Sequence, residues 1–180
     1  MHQMLGGVLL LFGPAGCGDV VSSEVLDGGE QVEERLPLVD NNLWAFADID
    51  SDPFVHERPA SVNCPEWAYA EEFGTFEVDT GSCNYLSVTQ PSLAPIKEGD
   101  TIHISLWHDV LLADEPGEGH AALAIGGDII WEATFEIPSY PNAYSPHIVS
   151  EKSYSDGTPV AFHLHNHGSN NWRLLSVSVE

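Results

Sequence analysis

The sequence predicts an all-β domain, a two-sheet antiparallel sandwich of about eight strands, and three observations carry that prediction. From about Asn42 onward the apolar runs are short, many alternate with polar residues, and Gly, Pro, Asn or Asp interrupts them. Gly126-Gly127-Asp128 separates two such runs and supplies residues that accept the positive φ of a tight hairpin turn. No stretch after residue 40 shows the spacing of a long amphipathic helix.

Taken in order, "PEWAYAEEFG" (65–74) has room for a short helix at most. "GTFEVDTG" (74–81) and "CNYLSVTQ" (83–90) read as two strands around Cys83. In "DTIHISLWHDVLL" (100–112), Ile102, Ile104 and Leu106 fall on one face and His103, Ser105 and Trp107 on the other. "HAALAIGGDIIWEATFEIP" (120–138) reads as a hairpin about the glycine pair. "TPVAFHLHNHG" (158–168) and "NNWRLLSVSVE" (170–180) read as a final pair joined by a turn at Gly168-Ser169. Within the first of these, Val160, Phe162 and Leu164 form the core-facing set and Ala161, His163 and His165 the polar one.

The run "EGDTIHISLWH", the Gly-Gly hairpin and "GTPVAFHLHNHGSNNWRLLSVSV" are similar to the jelly-roll sandwiches of galactose-binding-like domains and carbohydrate-binding modules. In those, a Gly-led strand precedes a Trp-led last strand. The resemblance covers about residues 75–180 and lies in the strand pattern. It implies an extracytoplasmic ligand-binding domain, often for sugars. The family's usual calcium ligands find no residue-by-residue counterpart in this chain.

The N-terminus has its own signature. Leu5 to Phe12 is apolar but far shorter than the roughly 20 residues of a spanning helix. With Ala15-Gly16-Cys17 behind it, the segment resembles a bacterial lipoprotein signal peptide and its lipobox, in which the cysteine is lipidated and becomes the new N-terminus. Pro14 stands where Leu is usual, and no Lys or Arg precedes the apolar run. An ordinary secretory signal is the alternative. The expected organisation is a signal peptide over 1–16, an acidic tether over 17–40 beginning at lipidated Cys17, and the sandwich over 41–180. That places the domain in the cell envelope, at the outer membrane or cell surface, with a membrane as partner through the anchor. Cys64 and Cys83 remain, and two cysteines in an exported domain most simply pair as one disulfide.

Lys and Arg total 5 against 28 Asp and Glu, a formal net charge of -23. Such a field repels phosphate backbones and excludes nucleic acid as a partner. Chemistry-bearing residues concentrate in "FHLHNHGSNNW" (162–172). Two imidazoles at i and i+2 of a strand can converge on one metal, zinc or copper, if another strand adds a third ligand. His103 is the leading third ligand beside His163 and His165; His108, His120, Asp109 and Glu132 are further candidates. Asp48, Asp50 and Asp52 alternate as in the first half of a calcium loop, but Pro53 and Pro59 replace its Gly and final Glu, which leaves a looser calcium site or an acidic turn as the readings. Trp107, Trp131 and Trp172 could stack on sugar rings or pack in the core. No Gly-x-Ser-x-Gly elbow or zinc-protease motif occurs, so the sequence argues for binding over catalysis.

Three readings follow. The first is a lipid-anchored sandwich that binds carbohydrate or another cell-surface ligand through His103, Trp107, His163 and His165. The second is a metalloprotein using the His163/His165 strand. The third is a structural envelope lipoprotein without a ligand.

Overall fold

A computed structural model describes residues 35–180; the expected signal peptide, Cys17 and most of the expected tether lie outside the described residues. Among the described residues twelve strands form: β1 (Leu36–Pro37), β2 (Ala45–Phe46), β3 (Tyr69–Glu72), β4 (Thr75–Asp79), β5 (Tyr85–Pro91), β6 (Thr101–His108), β7 (Gly117–Ile125), β8 (Asp128–Ile137), β9 (Asn142–Tyr144), β10 (His147–Val149), β11 (Pro159–Asn166) and β12 (Asn171–Val179). Eight of them have four or more residues, in keeping with the expected number. "PEWAYAEEFG" gives one 3-10 turn, Glu66–Ala68, before β3.

Two antiparallel sheets face each other. One runs β10-β6-β12-β4-β3, with β1 added beside β12 and β9 beside β6; the other runs β2-β5-β11-β7-β8. From β4 onward the chain changes sheet at every step except the β7–β8 and β9–β10 connections. This wrapping is a jelly roll. At the β7–β8 turn Gly126 and Gly127 have φ of 60° and 87°, the left-handed pair that matches the twist of a two-residue hairpin.

The core lies between the sheets. Ile102, Ile104 and Leu106 of β6 meet Val160, Phe162 and Leu164 of β11 there, none more than 2% exposed. Both sets are the ones the alternation places inward. The sandwich begins upstream of residue 41: β1 pairs with Ser178 and Val179, and Leu38 is fully buried. The acidic composition of 17–40 hides this: Leu38 and Val39 are both buried, and the Leu38 N–H donates to the Val177 carbonyl at 2.9 Å.

The final pair is also corrected. β11 and β12 are not hydrogen-bonded to each other; β11 joins β5 and β7, and β12 joins β4 and β6. Their inward residues therefore meet face to face across the core. Thr80 fixes this corner to the β4–β5 corner. Its Oγ1 accepts from Asn166 Nδ2 at 2.6 Å and from the Asn170 N–H at 3.0 Å, and its hydroxyl donates to the Asn170 carbonyl at 2.7 Å. Gly168 passes so close to the Leu112 carbonyl that any Cβ there would collide with it. The Cys64–Cys83 disulfide forms, 19 residues apart, and staples the segment before β3 to the start of β5; closing such a loop is worth about 3 kcal/mol by chain entropy.

Candidate functional site

On the five-stranded sheet the outward rows are set by register. His165 stands between Tyr85 of β5 and His120 of β7, and His120 is followed by Thr134 of β8. One row along, His163 stands between Ser87 and Ala122, and Ala122 is followed by Glu132. Glu132 reaches this face because of a β-bulge. The turn pairs Ile125 with Asp128 and Ala124 with Ile129, after which Leu123 pairs with Trp131, so one residue of β8 is skipped. That skip exchanges the faces of every later β8 residue, turning Trp131 and Phe135 inward and Glu132 and Thr134 outward.

The segment after β2 covers half of this face. Phe54 is fully buried against Ala122, Ala124 and Ala161 and stacks on the His163 ring at 5.0 Å. Asp52 anchors the segment. Its carboxylate accepts from the Tyr85 hydroxyl at 2.5 Å, the Ser87 hydroxyl at 2.7 Å and the Phe54 N–H at 2.9 Å, with Arg58 Nη1 at 3.7 Å. Burial, then the Asp52 carboxylate, raises the Tyr85 pKa, so the phenol stays a donor.

His163 is fully buried although it points away from the core. Its Nδ1 lies 2.8 Å from the Leu86 carbonyl, which can only accept, so Nδ1 carries the proton. Burial pushes its pKa down to about 3, against the Leu86 hydrogen bond and with help from His120 and His165. The His165 pKa is also lowered, first by burial and then by His167. Both imidazoles are uncharged at neutral pH.

Beside the covered half is an open cleft of about 490 Å3. Glu57, Glu118, His120, Glu132, Thr134, His165 and His167 line it. His120 Nε2 lies 3.3 Å from Glu132 Oε2, while its Nδ1 is buried without a partner among the described residues. Among the described residues no Lys or Arg lines the cleft. The arrangement offers carboxylate acceptors, a hydroxyl and imidazoles that can donate or accept.

The four ligand-binding candidates are divided. His163 and His165 lie on this face, but His103 and Trp107 lie on the outer face of the opposite sheet. There His103 packs on His147 at 4.3 Å with Glu180 Oε1 at 3.2 Å, and the Arg173 guanidinium lies 4.7 Å over the Trp107 ring. A single ligand on one face cannot touch all four. The His163, His165, His103 metal set fails for the same reason: the sheet pairing separates His103 by the thickness of the sandwich. Among the described residues no three His, Cys, Asp or Glu side chains are grouped to hold a metal ion. Of the other candidates, His108 faces inward, Asp109 lies 3.8 Å from Arg173, and the Asp52 carboxylate accepts from the Tyr85 and Ser87 hydroxyls. Trp172 is fully buried beside Phe135 and His108 and serves the core.

Residue patterns alone miss Glu57, Glu118, Thr134 and His167 as cleft residues. Glu118 and His120 do alternate on β7, a signal that they share a face. Glu57 carries none, since it arrives on the covering segment.

No family model matches the chain, and no curated protein matches it. Among solved structures the chain is similar to a CBM4 carbohydrate-binding module, with 13% identity over 81% of this chain and 95% of that one, TM-score 0.44. It is similar to the N-terminal cellulose-binding domain of β-1,4-glucanase C from Cellulomonas fimi, with 13% identity over 66% of this chain and 86% of that one, TM-score 0.44. It is also similar to TmCBM61, solved with β-1,4-galactotriose, with 10% identity over 81% of this chain and 98% of that one, TM-score 0.43.

Proposed function

We propose that this protein is an exported, lipid-anchored sandwich that binds uncharged glycans in the cleft between Glu57, His120, Glu132 and His165. The observation that carries the reading is the lining itself. Sugar hydroxyls donate and accept at once, and the cleft pairs three carboxylates with a hydroxyl and imidazole rings, whose nitrogens donate or accept. Its volume of about 490 Å3 falls in the range of small-molecule sites. The acidic lining disfavours uronate, sulfate and phosphate groups. A binding panel of neutral glucans, galactans, xylans and mannans, set beside anionic polysaccharides, tests it. At least one neutral glycan is expected to bind, about tenfold more weakly in His165→Ala and Glu132→Ala, with Trp107→Ala unchanged. Failure of every neutral member, or loss only in Trp107→Ala, overturns the reading.

Export rests on the Ala15-Gly16-Cys17 segment and is supported by the disulfide, which persists in oxidising compartments. Cys17→Ser should move the protein from the membrane to the soluble fraction of its host, and the native mature protein should carry acyl mass on Cys17. An unmodified Cys17 would overturn anchoring and leave the cleft reading intact.

A further inference from the structure

β8 has a second hollow on its other side. It ends the five-stranded sheet, and β9 and β10 lie beyond β6 at the edge of the other. Between these edges runs a groove of about 680 Å3 lined by Trp131, Phe135, Tyr144, Ser139 and Ser145 among others. Trp131 and Tyr144 are half-buried and line the groove. Tyr144 is held by Phe135 at 4.8 Å and by a hydrogen bond between its hydroxyl and His108 Nε2 at 3.1 Å.

The groove and the polar cleft meet: Ala133 and Thr134 line both. The β8 bulge produces the junction, sending Glu132 and Thr134 to the cleft side and Trp131 and Phe135 to the groove side. Hydrogen-bonding groups on one side and aromatic rings on the other suit a chain of sugars, whose rings carry hydroxyls at their edges and C–H groups on their faces. Among the described residues the groove carries Glu136 and no Lys or Arg, so its charge continues that of the cleft. Strand addition by a peptide is disfavoured, because Asp128, Glu132 and Glu136 put charge along the β8 edge.

We propose that the two hollows form one extended site for a linear, uncharged oligosaccharide. One ring occupies the polar cleft, and the chain crosses β8 so that a later ring rests on Trp131 and Tyr144. The polar lining spans β11 to β8, about 9–10 Å or two strand spacings, so only a ligand of several rings reaches both hollows. This rests on the glycan reading of the cleft and adds a chain-length requirement to it.

Calorimetric titration with β-1,4-linked gluco-, galacto-, xylo- and manno-oligosaccharides of two to six residues tests the proposal. For the series that binds, affinity should rise about tenfold from the shortest to the longest member. Trp131→Ala should erase that rise and leave the disaccharide within about twofold of the parent. Because Trp131 packs partly against the core, Ser145→Arg, which narrows the groove from an exposed position, should do the same without a change in thermal stability. Length-independent affinity, or equal losses for short and long chains in both variants, overturns the extended site alone. Failure of every series to bind overturns the extended site, and failure of the whole neutral glycan panel overturns the cleft reading with it.

Discussion

Asp52→Ala is expected to lose about 3–5 kcal/mol of unfolding free energy, a large share of the stability of a domain this size. The carboxylate is buried and receives the Tyr85 and Ser87 hydroxyls and the Phe54 N–H, with Arg58 nearby. Removing it strands Ser87 and the Phe54 N–H in a dry interior and leaves the half-buried Arg58 cation without its counter-charge. Tyr85 keeps one acceptor, the Phe54 carbonyl at 3.0 Å. Asp52→Asn should cost less, about 1–3 kcal/mol, because one acceptor oxygen survives. Urea unfolding of the three proteins measures this. A loss below about 1 kcal/mol in Asp52→Ala would show that the covering segment is not fixed by this carboxylate. If it is, Asp52→Ala also lifts Phe54 from His163, and hydrogen exchange should rise in β11 ahead of the core strand β6.

The second large effect is a loss of stability in mild acid traced to His163. Its folded pKa of about 3 lies below the ordinary 6.5 of the unfolded chain. Above pH 6.5 both states are neutral there and the residue has no effect on the pH profile. As pH falls below 6.5 the unfolded state takes up a proton that the folded state refuses, so stability drops until the folded pKa is passed. The slope for one such group is about 1.4 kcal/mol per pH unit. The groups facing His163 are His120 from β7, His165 from its own strand and Asp52 from the covering segment; the first two deepen the shift and the carboxylate opposes it. His165, also lowered, adds to the slope with the same sign. Carboxylates with lowered values, such as Glu180, contribute only at more acidic pH. Urea midpoints at several pH values from neutral to about 5 should therefore fall steeply for the parent and less steeply for His163→Gln, which keeps a donor for the Leu86 carbonyl without titrating. Parallel profiles would mean that His163 protonates in the folded state.

Alternation along a strand is a property of the local backbone, so it could be read directly. Ile102, Ile104 and Leu106 against His103, Ser105 and Trp107, and Phe162 and Leu164 against His163 and His165, take the faces their order assigns. The Gly126-Gly127 turn is local for the same reason, since only its own dihedrals decide it. The candidate site was less legible. Its residues come from β7, β8, β11 and a segment with no strand pattern, and Glu132 reaches it only through a skipped residue in β8.

The sequence by itself determined the class of fold, the inward and outward sets of β6 and β11, the hairpin and the cysteines available to pair. Tertiary structure decided which sheet each strand entered, and with it that His103 and Trp107 face away from His163 and His165. It also decided that His163, outward by alternation, is sealed under Phe54 while His165 stays at the cleft. The physical reason is range. A period of two is imposed on each residue by its immediate neighbours, whereas strand partners, bulges and covering segments are chosen by contacts such as Thr80 with Asn166 and Asp52 with Tyr85, 86 and 33 residues apart.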